Sequence, residues 1–159
     1  MLSFPTQVLN AGAVLVDGKL DPDDKVWLEG DQLPLGEGVK VTGRLSEAGP
    51  GRVYFSGTLK GTVTLDCRRC LVQVEAIVDT ETHVLFADES AVDEDDPDVL
   101  PMSKGRSGSE IDLRPAVRQE WLLEVPALVL CRPACKGLCP KCGANLNQGA
   151  CACARKSPE

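Results

Sequence analysis

The stretch from Cys131 to Cys153 constrains this chain more than any other. It reads Cys131-Arg-Pro-Ala-Cys135-Lys-Gly-Leu-Cys139-Pro-Lys-Cys142-Gly-Ala-Asn-Leu-Asn-Gln-Gly-Ala-Cys151-Ala-Cys153 and holds six of the eight cysteines. The other two, Cys67 and Cys70, form a second C-x-x-C far upstream. Eight thiols divide into two sets of four, and four is the number a structural zinc ion takes. Cys139-Pro-Lys-Cys142-Gly143 is the most specific piece. Two cysteines at this spacing turn both sulfurs toward one ion. The glycine after them can take the positive φ that leaves backbone N–H groups free to bond the thiolates.

Other uses of cysteine fit less well. Cysteine is too sparse for a disulfide scaffold, and the opening residues Met1 to Thr6 show no basic region followed by an apolar run. Four thiolates also suit iron, so an iron–sulfur cluster is an alternative occupant. A redox C-x-x-C should start a helix after a strand, whereas β-type sequence follows Cys70. Two zinc ions are therefore expected. The favoured grouping is Cys67, Cys70, Cys131 and Cys135 for one, with Cys139, Cys142, Cys151 and Cys153 for the other. The alternative unites Cys131, Cys135, Cys139 and Cys142, and leaves Cys67, Cys70, Cys151 and Cys153.

The net charge of −7 disfavours nucleic-acid binding by the whole surface, but the charges are unevenly placed. Seven acids fall between Asp88 and Asp98, and none between Val125 and Pro158. Arg68 and Arg69 sit inside the upstream pair, and Arg132, Lys136 and Lys141 inside the downstream cluster. These five cations are the candidate contacts for RNA or another partner.

The chain reads as α+β, mainly β: an antiparallel sheet packed by one C-terminal helix, with a cysteine-rich zinc-binding C-terminal segment. Residues 1–87 form the expected β-rich core. Within it, Val8-Leu9, Val14–Val16 and Val26–Leu28 read as short strands, and Asp17-Gly18 and Asp21–Asp24 as turns. From Val39 to Leu65 apolar and polar residues alternate on either side of Gly49-Pro50-Gly51, with Gly57 and Gly61 suggesting a bend or bulge. Residues 71–87 keep the same period. They predict a return strand that leaves Cys67–Cys70 at the tip of a hairpin, with the only histidine, His83, half-exposed along it. Residues 88–110 read as an acidic, flexible linker. Residues 111–130 hold a helix capped by Asp112 and running from Leu113 to about Glu124, followed by an extended segment. Leu113, Val117 and Trp121 mark its buried face. Residues 131–159 are the zinc-binding tail.

The order of these pieces resembles the YceD family. It runs through a β-run, C-x-x-C, a second β-run, an acidic gap and an Ile111-Asp-Leu helix ending before Pro126. Cys135-Lys-Gly-Leu-Cys139-Pro and Asn145-Leu-Asn147 then carry the densest likeness. Members of that family are described as large ribosomal RNA subunit accumulation proteins, factors needed for normal levels of 23S rRNA. The resemblance implies an assembly factor whose partners are pre-ribosomal large-subunit RNA, a ribosomal protein or both. With no basic-then-apolar opening and no apolar stretch of membrane-spanning length, the chain is expected to be cytoplasmic and off the membrane, and no small-molecule substrate is expected. The residues themselves offer no catalytic constellation, so catalytic residues are expected to be none. The competing class is a zinc-ribbon nucleic-acid-binding or transcription-type regulator.

Overall fold

A computed structural model of the chain describes residues 1–28, 31, 35–91, 98–105 and 108–155. Its eight strands are β1 (Ser3–Pro5), β2 (Val14–Leu20), β3 (Val39–Glu47), β4 (Arg52–Asp66), β5 (Gln73–Ala87), β6 (Val99–Pro101), β7 (Ser103–Gly105) and β8 (Gly108–Asp112), and one α-helix, α1, spans Arg114–Glu124. The protein is thus mostly β, as the alternation predicts, but it has two sheets where one was expected. Five strands lie in the order β2-β3-β4-β5-β6, and three in the order β1-β8-β7. All neighbours are antiparallel except β5 and β6, which run parallel.

β4 and β5 form the long hairpin that the period of two implies. They pair without a break from Arg52↔Ala87 to Asp66↔Gln73 and bring Cys67 and Cys70 to the tip. Val53, Phe55, Leu59 and Val63 of β4 are buried, as are Val78, Val84 and Phe86 of β5. Val39, Val41 and Leu45 of β3 join the same core, which Ile111, Leu113, Ala116, Val117 and Trp121 cover from the opposite side. The buried face of α1 is therefore the one its spacing marks.

The glycines of β4 do not mark a bulge. Gly57 pairs directly with Gly43 of β3, and a methyl group on Gly57 would come 2.6 Å from the Phe55 ring. A methyl group on Gly61 would sit 2.8 Å from Cη2 of Trp121. Both positions are bare because an aromatic ring and a backbone carbonyl, that of Thr42 for the methyl on Gly57 and that of Gly38, 2.9 Å from the methyl on Gly61, occupy the space a side chain would need. Gly57→Ala should accordingly lower stability by about 1–3 kcal/mol, the usual cost of overpacking. Chemical denaturation measures it, and a neutral result would mean that both the ring and the Thr42 backbone give way freely.

Several expectations for the chain ends are corrected. Val8 and Leu9 lie in a 3-10 turn, Thr6–Ala11, with Leu9 buried under the sheet. β2 runs straight through Asp17-Gly18, because Gly18 leaves room for Leu2 rather than for a turn. Val26–Leu28 is not a strand. Trp27 there packs on the core and donates its indole N–H to the Asp21 carbonyl at 2.8 Å. The span read as a linker contains β6, β7 and most of β8. Met102 within it is buried, and its N–H bonds the Ala87 carbonyl. Such short strands are held by backbone bonds at sheet edges, which need no apolar periodicity. The centre of the acidic run, residues 92–97, lies outside the described residues. α1 begins at Arg114, one residue later than expected. Asp112 accepts the Arg114 N–H at 3.0 Å and grips its guanidinium at 2.7 and 2.9 Å, while Leu113 takes the cap position. Among the described residues no helix is long and apolar enough to cross a membrane.

Candidate metal centres

Both C-x-x-C segments fold into the same turn. In the first, the Cys67 N–H bonds the Val72 carbonyl at 2.7 Å and the Leu71 N–H returns to the Cys67 carbonyl at 2.9 Å. In the second, the Cys139 N–H bonds the Ala144 carbonyl at 2.8 Å and the Gly143 N–H returns to the Cys139 carbonyl at 2.8 Å. The turn leaves inner N–H groups pointing at the first sulfur of each pair. The Cys70 N–H holds the Cys67 thiol down at about 6, and the Cys142 and Lys141 N–H groups do the same for Cys139, also about 6. A left-handed residue closes each turn: Gly143 at φ 74° in one, Leu71 at φ 59° in the other. Leucine in that conformation costs about 1–2 kcal/mol relative to its ordinary backbone, and glycine does not.

The segment after α1 brings two further cysteines to the first turn. Val129 bridges to Cys67 in parallel, and the Arg68 N–H bonds the Val129 carbonyl at 2.9 Å. Cys131 and Cys135 then arrive beside the hairpin tip. The Cys67 and Cys135 sulfurs lie 3.8 Å apart, and those of Cys70 and Cys131 3.6 Å. In all, Cys67, Cys70, Cys131 and Cys135 form one group and Cys139, Cys142, Cys151 and Cys153 another, with sulfurs within 4.8 Å of one another in each. The structure thus places the eight cysteines in the favoured grouping.

These distances discriminate between the uses of cysteine. A disulfide needs sulfurs about 2.05 Å apart. Four thiolates around one ion, at a metal–sulfur bond of about 2.3 Å, stand about 3.8 Å apart along a tetrahedral edge. All eight cysteines are free, and the two separations given for the first tetrad match the tetrahedron. Each tetrad could hold a metal ion. The titration of the thiols points the same way: while Cys67 and Cys139 are held low, Cys131 is pushed up to about 12 by loss of water and by neighbouring thiols, and Cys153 to about 12 by Cys142. Four thiolates cannot coexist without a cation to balance them, so loading a metal must expel the remaining protons.

Asn147 is a residue the sequence reading left without a role. Its side-chain N–H donates to the Cys135 sulfur at 3.3 Å and holds that thiol low, while its oxygen accepts the Lys136 N–H at 2.9 Å. Asn145 in turn orients Asn147 through bonds of 3.0 and 2.9 Å to its N–H and its amide. The second group's loop therefore supports the first group's sulfur. The signal was the Asn-Leu-Asn triplet lying between ligands.

The candidate cations separate into two kinds. Arg68, Arg132, Lys136 and Lys141 are exposed at the metal-bearing end. Arg69 is exposed too but works as scaffold: its guanidinium donates to the Cys135 carbonyl at 2.9 Å, and its own carbonyl accepts the Leu138 N–H at 3.1 Å. His83 stands apart from both tetrads, exposed on β5 and stacked on Tyr54, whose hydroxyl lies 2.9 Å from Nδ1.

Known proteins resemble the chain over this region. A family model described as "Large ribosomal RNA subunit accumulation protein YceD" matches residues 55–159. The chain is 25% identical over 136 residues to the chloroplastic "Large ribosomal RNA subunit accumulation protein YCED homolog 1" of Arabidopsis thaliana, covering 68% of this chain and 41% of that protein. It is 38% identical over 98 residues to an uncharacterized protein of Mycobacterium tuberculosis, covering 59% of this chain and 45% of that one. It is 33% identical over 93 residues to the uncharacterized protein YlbN of Bacillus subtilis, covering 58% and 51% respectively. The chain thus spans about half the length of these curated relatives, or less. No solved structure matches it significantly. The family match takes in all but the first three residues of the β4–β5 hairpin, α1 and both cysteine tetrads, and on it this chain belongs to the YceD family.

Proposed function

We propose that this protein is a non-enzymatic factor that assists 23S rRNA accumulation during assembly of the large ribosomal subunit, and that two structural zinc ions shape its working end. The family supplies the ribosomal setting. The single observation that carries the rest is the pair of closed four-thiolate groups bordered by cations. Four thiolates fill the zinc shell and leave no position for an activated water, so the metal positions side chains instead of performing chemistry. Arg132, Lys136 and Lys141 project from the loops the ions would fix, on a segment without acids. They suit RNA phosphates.

Reversing the charge of Arg132, Lys136 and Lys141 together tests this. The variant should keep its metal and its fold, since none of these side chains supports either tetrad. Its co-sedimentation with large-subunit precursors should fall on the order of tenfold, and its binding to precursor RNA should lose part of its salt dependence, roughly one slope unit per lost phosphate contact. Unchanged co-sedimentation and unchanged 23S rRNA levels would remove these cations from the working surface.

A further inference from the structure

The two C-x-x-C turns share their backbone hydrogen bonds but differ in the residue that closes them. The second turn closes with Gly143, whereas the first closes with Leu71, the one non-glycine residue at positive φ among the described residues. A leucine is a poor occupant of that conformation unless its side chain is wanted. Packing does not explain it, because Leu71 is 62% exposed.

Leu71 sits next to the segment that leaves α1, because its N–H bonds the Cys67 carbonyl and Cys67 bridges Val129. Val72 beside it is 46% exposed, and on the neighbouring segment Leu128 is 62% and Leu130 38% exposed. Leu128 and Leu130, with Arg68 and Arg69, border a cleft of about 400 Å³. Arg68 makes no ion pair among the described residues, and the span from Val125 to Pro158 holds no acid. The tip therefore presents aliphatic side chains beside an uncompensated guanidinium. Aliphatic groups give nucleobases neither a flat face to stack on nor a hydrogen bond, but they lose water favourably against apolar protein side chains.

We propose that the tip around Leu71, Leu128 and Arg68 is a docking surface for a protein segment that carries apolar side chains flanked by carboxylates. The inference rests on the reading above only in treating the metal-bearing end as the working end. It uses different residues from Arg132, Lys136 and Lys141, and it gives the strained leucine a purpose.

The test begins with a random-peptide display library selected on the zinc-loaded full chain. Enriched peptides are then titrated against the wild type, Leu71→Gly, Leu128→Ser and Arg68→Glu. Leu71→Gly keeps the turn and removes the side chain, so its zinc content should be unchanged and its melting temperature equal or higher. Enriched sequences should combine Leu, Ile or Phe with Asp or Glu, and each substitution should weaken their binding at least tenfold. Leu128 lies outside both turns, so Leu128→Ser carries the same readout should Leu71→Gly lose metal. Failure to enrich peptides that depend on these residues, or enrichment of basic ones, would overturn the proposal. Equal weakening of 23S rRNA binding by Leu71→Gly would overturn it too, by making RNA the occupant. The ribosomal reading itself is decided separately, by the Arg132, Lys136 and Lys141 variant on precursor particles.

Discussion

Stripping zinc from the purified protein should unfold the segment from Cys131 to Arg155 while the five-stranded sheet persists. The main apolar core draws no residue from that segment; its buried side chains are the ligands Cys135 and Cys139 themselves. Little else there offsets the entropy of ordering the loops: Leu138 packs on the cysteines, and a few backbone and side-chain hydrogen bonds tie the segment down. Structural zinc supplies on the order of 10–16 kcal/mol at such sites in small zinc-finger peptides, far more than loops of this kind can muster alone. Metal analysis should give two zinc ions per chain before treatment, and hydrogen exchange afterwards should show amide protection lost from Cys131 onward but kept in β3, β4 and β5. Replacing Cys151 and Cys153 by Ser should leave one ion, with Cys67 and Cys70 still shielded from thiol reagents. A metal-free protein with a protected tail, or a coloured iron cluster, would refute the zinc assignment.

Trp121→Ala should be the most damaging single substitution in the core, lowering stability by about 3–5 kcal/mol. Trp121 is fully buried, lies over bare Gly61, and ties α1 to the sheet. A domain of ordinary stability holds only about 5–15 kcal/mol in all, so the variant should melt roughly 10 °C lower and sit near the threshold of folding. Trp121→Phe should cost much less. The indole N–H finds no hydrogen-bond partner among the described residues, and phenylalanine removes that buried donor with the smallest loss of ring. Equilibrium denaturation of the two variants isolates the volume of the side chain, since both remove the N–H. Equal losses would show that ring volume does not set the cost.

What could be read from the sequence follows from where the stabilising groups sit. In β3, β4 and β5 one face of each strand is buried, so the period of two is written in side chains such as Val39, Phe55 and Val84. The cysteine grouping was legible for a similar reason: the local set has its own turn, and the hairpin tip needs partners from elsewhere. β6, β7 and β8 were not legible, because they add to sheet edges through main-chain bonds and bury little besides Met102 and Ile111. Glycine misled at Gly18, Gly57 and Gly61. The residue that permits a turn also permits another group to approach, and only the neighbours, here Leu2, Phe55 and Trp121, tell the two apart. The Asn145-Leu-Asn147 triplet stood out in the sequence, but the role of Asn147 did not, since an amide aimed at a sulfur looks like any loop asparagine until the fold places it.

The two tetrads differ in how much chain each must gather. All four cysteines of the second lie between Cys139 and Cys153, so a newly made tail can close it by itself. The first joins sulfurs 61 and 68 residues apart, and it exists only after β4 has paired with β5 and α1 has brought Val129 beside Cys67. Closing that longer loop is entropically dearer and waits on the sheet. The first site is thereby a latch that reports a finished fold: an ion there certifies that hairpin, helix and tail have all met, whereas an ion in the second certifies only itself.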